Sequence, residues 1–250
     1  MDLIYYTVLT LAWAVGGFLS GITSMGCALI ALPILNMVMS PEQAVLNSCV
    51  CAGVIAAVLV MLHHRGILFR ELLLLLGASL PGSVFGVLLF ECVSAAWLNM
   101  ALGVVLACFV IWQTIGANTA FRLRNYGAWV LPAGFLGGLV NAMTAAPGAV
   151  MGIYTTLRTW SKDNILSMQS AFFAFSALLT VMIQWNRGLY SQPVLFDIAC
   201  SLPGAGLGIL ASIPAQKYID QQRCRKLLLI LLALSAVMLF GKGASVQCFS

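Results

Sequence analysis

The chain is built from apolar runs of about 20 residues that follow one another from end to end, with only short polar segments between them. Only 8% of the 250 residues are charged and the mean hydropathy is +1.02, whereas a soluble domain carries about 25% charged residues. Because a backbone in lipid must satisfy its hydrogen bonds within its own segment, we predict an all-α polytopic membrane protein. The runs are continuous and do not alternate with period 2, which argues against a β-barrel. They occupy roughly 3–39, 44–62, 70–90, 95–115, 128–157, 165–186, 193–214 and 224–241.

Charge and motif content narrow the function classes. The net charge of +5 comes from basic residues scattered among short loops, which is typical of insertion signals and not of a nucleic-acid partner. MDLIYYTVLT at the N-terminus has no Lys or Arg and is interpreted as the start of the first membrane segment. The eight cysteines include no CxxC pair, and adjacent histidines at 63 and 64 point apart on regular structure, so we expect no metal. Neither a hydrolase motif nor a Walker motif is present, so we predict no enzyme activity, no ATP and no cofactor.

The two halves of the chain resemble each other. GFLSG at 17–21 matches GFLGG at 134–138, HHRGIL at 63–68 matches WNRGLY at 185–190, and LPGSVFGVLL at 80–89 matches LPGAGLGILA at 202–211. The last two matches share an offset of 122 residues and the first has 117, which indicates an internal duplication with five extra residues in the second copy. We predict an N-terminal repeat at 1–115, a cytoplasmic connecting loop at 116–127 and a C-terminal repeat at 128–250.

The distribution of basic residues predicts that the second repeat is inverted. If the long runs 3–39 and 128–157 each cross once, Lys and Arg divide 6 to 6 between the two faces. If each run folds back, a split of 10 to 2 results, as the positive-inside rule requires, and both termini lie outside. Each repeat then opens with a broken helix pair followed by about three transmembrane helices, an arrangement of secondary transporters. The pieces 24–39 and 146–157 are either re-entrant or short full spans, and their length favours re-entrant pieces. The ten residues on one face are Arg65, Arg70, Arg122, Arg124, Arg158, Lys162, Lys217, Arg223, Arg225 and Lys226, and the other two are Arg187 and Lys242.

These motifs together resemble the TauE/SafE sulfite exporter family, also called the toluene-sulfonate uptake permeases or DUF81. The resemblance rests on the broken segments GFLSGITSMGCALIALP at 17–33 and GFLGGLVNAMTAAPGAVMGIY at 134–154, the RG turns at 65–66 and 187–188, and the two LPGxxxG motifs. It covers about 10–240. The chain departs from the family where a double glycine becomes Gly26-Cys27 and Gly148-Ala149. The resemblance implies a bacterial inner-membrane transporter of anions such as sulfite, sulfonates, sulfoacetate or thiosulfate, which puts both predicted outer termini in the periplasm.

The breaks in the two long segments are the first candidate site. A small anion must replace its lost hydration, and every Lys and Arg lies in or beside a loop. A helix that begins at mid-depth offers free N–H groups and a partial positive charge, and Ser, Thr and Asn serve there as caps or donors. The alternative is that small residues only let helices approach closely. The candidate substrate-binding residues are Ser20, Thr23, Ser24 and Gly26 before a predicted helix 27–39, and Asn141, Thr144, Pro147 and Gly148 before a predicted helix 149–157.

A second candidate is the pair of equivalent dipeptides Asn47-Ser48 and Gln169-Ser170, which either face a central site or hydrogen-bond between helices. Arg65 and Arg187 precede glycine at equivalent turns, where they either steer anions or, as we favour, anchor helix ends. Arg158 follows the second broken segment and is a further anion-steering candidate.

Two carboxylates are the remaining candidates. Asp197 lies just inside a predicted span, and Glu71 lies at the start of another. A carboxylate within the membrane is a candidate for proton coupling, and we name Asp197 for that role. The alternative, which we favour, is that both lie at the membrane interface.

The leading hypothesis is a secondary transporter of small sulfur-containing anions that works by alternating access. A passive anion channel and a transporter of unrelated small solutes are the alternatives. The expected partners are the anionic substrate and the lipid bilayer, and a homodimer is among the expected assemblies.

Overall fold

The structure is a computed structural model that describes residues 2–23, 27–115, 126–158, 160–215, 229–230 and 232–233. Within these residues all regular structure is helical, which confirms the predicted class. The predicted loop 116–127 lies outside the described residues except for its last two positions, and so does most of the predicted span 224–241. The helices are α1 (Asp2–Thr23), α2 (Cys27–Leu35), α3 (Pro41–Leu62), α4 (Phe69–Cys92), α5 (Ala95–Ile115), α6 (Tyr126–Thr144), α7 (Gly148–Leu157), α8 (Lys162–Asn186) and α9 (Gln192–Ala215).

Seven of these helices, all except α2 and α7, are long and apolar enough to cross a membrane. The two short helices have 9 and 10 residues, so each is roughly 14–15 Å long, about half the hydrocarbon core. The predicted end of α2 at residue 39 is wrong, because α2 ends at Leu35 and residues 36–39 form turns and a bend before α3 begins. The predicted loop at 40–43 is instead the start of α3, where Ser40 caps the helix and Pro41 occupies its first turn.

Helices α1 and α9 lie side by side and run in the same direction. The Tyr5 hydroxyl donates to the Asp197 carboxylate over 3.0 Å, and Gly21 lies against Ser212. Residue numbers therefore rise together along this pair. Helices α4 and α6 form the corresponding parallel pair, since Gly134 lies against Leu75 and Gly86 lies against Leu139.

The repeated glycine motifs create these two interfaces. GFLSG in α1 packs on LPGAGLG in α9, and GFLGG in α6 packs on LPGSVFG in α4. A Cβ atom at Gly204 would lie 2.1 Å from the Thr10 carbonyl oxygen, and one at Gly82 would lie 2.1 Å from the Phe135 carbonyl oxygen. Only glycine allows backbones to come this close. Each of these interfaces therefore joins a helix of the first half of the chain to a helix of the second half.

The central pair, α3 and α8, runs antiparallel. The Ser167 hydroxyl donates to the His63 carbonyl at one end, and the Gln184 amide contacts the Cys49 thiol near the other. Helices α6 and α8 are parallel, because Gly137 lies on Phe172 and Asn141 bonds to residues further along α8. The short connection 187–191 makes α9 antiparallel to α8, so α9 and its parallel partner α1 run in the same direction as α3.

The short helices turn the chain back. Gly16, in the second half of α1, lies against the carbonyl of Cys27, the first residue of α2. The chain then reaches Pro41, where α3 starts in the same direction as α1. Helix α7 returns along α6 to Tyr154, whose hydroxyl donates to Glu71. Each long helix and the short helix after it thus begin and end at the same face.

Basic residues mark one of these faces. Arg65 and Arg70 lie at the connection between α3 and α4, which packs on the start of α8. Arg158 lies at the same face, 2.8 Å from Glu71. Arg187 lies at the opposite face, where it pairs with Glu91 at the end of α4. We call the first the basic face and the second the opposite face.

Candidate functional site

A cavity lies where the two breaks meet, between α3 and α8. Its empty space, including its opening, is about 450 Å³. At mid-depth Gly53 of α3 lies against Ala177 of α8, and from there the cavity extends toward the basic face. The residues that line it are Ser20, Cys27, Ala28, Leu29, Ala52, Ile55, Ala56, Leu59, Asn141, Ala145, Ala146, Pro147, Gly148, Phe173 and Ala177.

The first turns of both short helices face this cavity. Cys27 and Ala28 begin α2, Pro147 is the N-cap residue of α7, and Gly148 begins α7. The N–H groups of a first turn have no partner inside their own helix, and the helix dipole adds a partial positive charge there. The two helix starts are also adjacent, since a Cβ atom at Gly148 would lie 3.7 Å from the Leu29 side chain. The arrangement offers two converging sets of donors.

The chain reverses at Ala145, which has φ of 51°, a left-handed value that an L side chain adopts at a cost of about 1–2 kcal/mol. Its N–H bonds to the Asn141 carbonyl over 2.8 Å and closes the last turn of α6. Pro147, which we predicted before the helix, is the N-cap residue of α7, and α7 begins at Gly148, one residue earlier than predicted. The break therefore depends on local backbone strain as well as on proline.

Two buried polar side chains line the cavity, Ser20 and Asn141. Each is 3% exposed. The Asn141 amide donates to the Ser176 and Thr180 hydroxyls of α8, both over 3.1 Å. Among the described residues that line the cavity, none carries a charge. The chemistry available to a bound anion there consists of hydroxyl, amide and backbone N–H donors.

The structure thus brings together Ser20, Asn141, Pro147 and Gly148 of the predicted site. Thr144 is buried beside them, and its hydroxyl donates to the Val140 carbonyl over 2.8 Å. The Thr23 side chain, Ser24 and Gly26 lie outside the described residues. Sequence reasoning missed Ser176 and Thr180, although their spacing of four places both on one face of α8.

Asn47 and Gln169 do not line the cavity. Asn47 accepts from the Trp13 indole over 2.8 Å and donates to Ser201 over 3.1 Å, so it joins α1, α3 and α9. Gln169 donates to Thr155 over 2.9 Å and joins α8 to α7. These contacts match the interhelical alternative.

The serines beside these amides differ. The Ser170 hydroxyl donates to the Leu166 carbonyl within α8. The Ser48 hydroxyl is fully buried and has no hydrogen-bond partner among the described residues. A buried hydroxyl of this kind is uncommon and calls for an explanation.

The three candidate arginines lie away from the cavity. Arg158 pairs with Glu71, which is 7% exposed and also accepts from Tyr154. Its guanidinium also lies 5.2 Å above the Trp160 ring. Arg187 makes two hydrogen bonds to Glu91, and Arg65 is exposed in a short 3-10 helix.

Asp197 lies near the start of α9, close to the opposite face, and is 7% exposed. It accepts from Tyr5 of α1, so it spans the α1–α9 interface. Its backbone carbonyl accepts from Ser201, the residue that also binds Asn47. This chain of contacts connects Asp197 to α3 but not to the lining of the cavity.

The family model described as Sulfite exporter TauE/SafE matches residues 9–239, nearly the whole chain. Neither the curated proteins nor the solved structures compared with the chain gave a significant match.

Proposed function

The chain belongs to the sulfite exporter TauE/SafE family, whose members are membrane transporters and not enzymes, and on that premise we propose that it carries small sulfur-containing anions by alternating access. Sulfite, sulfonates, sulfoacetate and thiosulfate are the proposed substrates. The observation that carries this proposal is the cavity between the first turns of α2 and α7.

The cavity can bind an anion weakly enough for the anion to be released on the other side. A buried Lys or Arg would hold an oxyanion strongly in a low-dielectric site, whereas helix N-termini offer partial charges of about +0.5 each. Ser20, Asn141, Pro147 and Gly148 form the core of the proposed binding site, and Thr23, Ser24, Gly26 and Thr144 would complete it. Three roles stay predictions: anion steering by Arg65, Arg158 and Arg187, proton coupling by Asp197, and binding by Ser48 and Ser170. For Asn47 and Gln169 the contacts favour the interhelical role over binding.

The proposed repeats are inverted. In support, α1, α3 and α9 run one way, and α4, α6 and α8 run the other way, so α1, α3 and α4 oppose α6, α8 and α9, their counterparts 117 or 122 residues later. Inverted repeats around a site at mid-depth are the architecture of alternating-access carriers. We propose repeats at 1–115 and 128–250 that are joined by the 116–127 loop.

The proposed location is the bacterial inner membrane with the basic face in the cytoplasm and both termini in the periplasm. Arg65, Arg70 and Arg158 lie at that face, while Arg187 lies opposite. This distribution supports the orientation through the positive-inside rule. A single cysteine placed in the 116–127 loop, in a variant without other reactive cysteines, should be labelled only from the cytoplasmic side; labelling from the periplasm would reverse the proposal. A homodimer stays a prediction.

The function is tested in liposomes that contain the purified protein. Uptake of sulfite, thiosulfate, sulfoacetate, taurine and sulfate is measured with and without a pH gradient. We expect saturable transport of at least one reduced sulfur anion or sulfonate above the rate in empty liposomes. If none of these anions moves, the proposed function is wrong.

A further inference from the structure

A line of buried polar side chains continues from the cavity toward the opposite face. Ser176, Thr180 and Gln184 follow one another at intervals of four along α8, so they lie on one side of the helix. All three have no exposed surface. Phe173 and Ala177, which line the cavity, lie on the adjoining strip of the same helix. The cavity-facing side of α8 thus changes from apolar to polar beyond the cavity.

Helix α3 shows the same change. Ala52, Ile55 and Leu59 line the cavity at intervals of three and four, and Ser48 lies one further turn back on that side of the helix. Because α3 and α8 are antiparallel, Ser48 lies at about the depth of Gln184. The Ser48 hydroxyl has no partner among the described residues, although it is fully buried. An unpaired hydroxyl in such a place costs about 1–3 kcal/mol.

The line ends beneath Tyr190 at the opposite face. The Tyr190 hydroxyl donates to the Gln184 side-chain oxygen over 2.9 Å, and burial raises the pKa of this phenol, so it remains a donor at neutral pH. At the inner end, the Asn141 amide binds both Ser176 and Thr180 over 3.1 Å. Asn141 therefore belongs to the cavity and to the polar line at once.

Resting on the proposed function, we propose that Ser48, Ser176, Thr180 and Gln184 form the second half of the anion pathway, from the cavity to the opposite face. The three residues of α8 offer neutral donors about one helical turn apart, and Ser48 of α3 adds one at the depth of Gln184, so an anion exchanges one hydrogen bond for another without meeting a fixed charge. In this structure the Asn141 amide donates to the hydroxyl oxygens of Ser176 and Thr180, so each of these hydroxyls accepts there and keeps its own proton to donate. When the anion takes the amide protons of Asn141, the Ser176 and Thr180 hydroxyls lose that contact and donate their own protons to the anion on its way toward Gln184.

If the polar side chains on this line only stabilise the fold, removing one should not change uptake specifically. A comparison of two buried serines, Ser48 on the line and Ser83 away from it, distinguishes this structural role from the pathway. Ser48 and Ser83 are both fully buried, and neither hydroxyl has a partner in the described part of the chain. Ser83 lies in α4, beside the glycines that pack on α6 and away from the polar line. Replacing either serine by alanine removes an unpaired polar group, so neither change should lower the melting temperature.

The experiment compares Ser48→Ala with Ser83→Ala for melting temperature in detergent and for sulfite or thiosulfate uptake in liposomes. We expect both proteins to melt no lower than the unchanged chain, and Ser48→Ala alone to reduce the maximal uptake rate about tenfold. Equal uptake by the two variants would overturn the pathway while leaving the proposed function intact. If the unchanged chain moves no sulfur anion, both the proposed function and the pathway are wrong.

A second pair of variants replaces threonine by valine, which removes a hydroxyl but keeps the size of the side chain. Thr180→Val is expected to reduce uptake at least tenfold, since it interrupts the line between Ser176 and Gln184. Thr114→Val is the control, because Thr114 is exposed on α5 and bonds only to carbonyls of its own helix. Unchanged uptake by Thr180→Val contradicts the pathway.

Discussion

At equivalent positions, 122 residues apart, α8 carries Ser176, Thr180 and Gln184 where α3 carries Val54, Val58 and Leu62. The three polar side chains have no exposed surface, whereas Val54 is 43% and Leu62 is 48% exposed. This side of the helix is thus fully buried in the second half of the molecule, whereas in the first half it is exposed at Val54 and Leu62 and partly buried at Val58, which packs on the core. The two halves thus share the arrangement of these helices but differ in what this side of the helix contacts.

The helix interfaces show the opposite behaviour. Gly204 at the α1–α9 interface and Gly82 at the α4–α6 interface approach a backbone carbonyl equally closely. Packing is thus shared by the two halves, and the chemistry of the pathway lies mainly in one. The predictions below test where the halves are equivalent and where they differ.

The largest expected effect concerns the ends of the two short helices. Helix α7 is followed by Arg158, whose ion pair with Glu71 is buried, with exposures of 13% and 9% for the two side chains. At the equivalent place after α2, the Asn36 amide contacts Asn99 over 3.4 Å. Arg158→Gln should lower the free energy of unfolding by about 3 kcal/mol, because it leaves a buried carboxylate without its cation.

Thermal unfolding in detergent measures this loss. Arg187→Gln is the control, since the Arg187 side chain is 51% exposed, and it should leave the melting temperature unchanged. Equal melting temperatures for the two variants would contradict the claim that the buried Arg158–Glu71 pair stabilises the end of α7 more than an exposed pair does.

The next effect tests the equivalence of the two interfaces. Gly204→Val should lower stability by about 2 kcal/mol, because the new side chain meets the Thr10 carbonyl. Gly206→Val, in the same helix with open space around it, is the control. Gly82→Val should show the same loss relative to Gly77→Val, which also has open space. A loss at only one interface would contradict the equivalence, and melting temperatures in detergent decide it.

A smaller effect separates two buried asparagines. Asn141 lines the cavity, while Asn47 connects α1, α3 and α9. Asn141→Ala should weaken sulfite or sulfoacetate binding about tenfold, or about 1.4 kcal/mol. Asn47→Ala should lower the melting temperature but leave the affinity of the folded protein unchanged. Titration calorimetry on detergent-solubilised protein measures both, and equal loss of affinity in the two variants would place the site elsewhere.

The smallest effect concerns the backbone at the second break. Ala145→Gly should raise stability by about 0.5 kcal/mol, because glycine adopts a φ of 51° without the cost that alanine has. Ala146→Gly, at the next residue, should instead lower the melting temperature slightly, because glycine raises the conformational entropy of the unfolded chain. A lower melting temperature for Ala145→Gly would show that the left-handed turn is not strained.

Much of the fold was predictable from the sequence. Continuous apolar runs specify membrane helices, because lipid leaves a backbone no other partner. The matched glycine motifs indicated two related halves, and the breaks at 21–26 and 138–148 indicated where the chain turns back. The split of Lys and Arg between the two faces depends only on which loops lie at the same face, so it could be counted from the sequence. These features are all local or repeated, so one sequence is enough to reveal them.

The site was predictable only in part, because side-chain partners depend on packing between distant helices. Asn47 and Asn141 are both amides in apolar segments, and the sequence does not say that one binds Trp13 while the other lines a cavity. The polar line on α8 lies within a segment whose length and mean hydropathy are those of an ordinary membrane-spanning helix. The spacing of four residues between Ser176, Thr180 and Gln184 was visible in the sequence. That these side chains face α3, and could therefore line a pathway, is visible only in the structure.

Counterflow in liposomes tests the central claim, alternating access by this chain, most directly. Liposomes that contain the protein are loaded with unlabelled sulfite and diluted into a trace of radiolabelled sulfite. A carrier with one site that opens to each side in turn should accumulate label transiently above its equilibrium level and then release it. Label that rises smoothly to equilibrium without an overshoot would show a channel and would contradict this account.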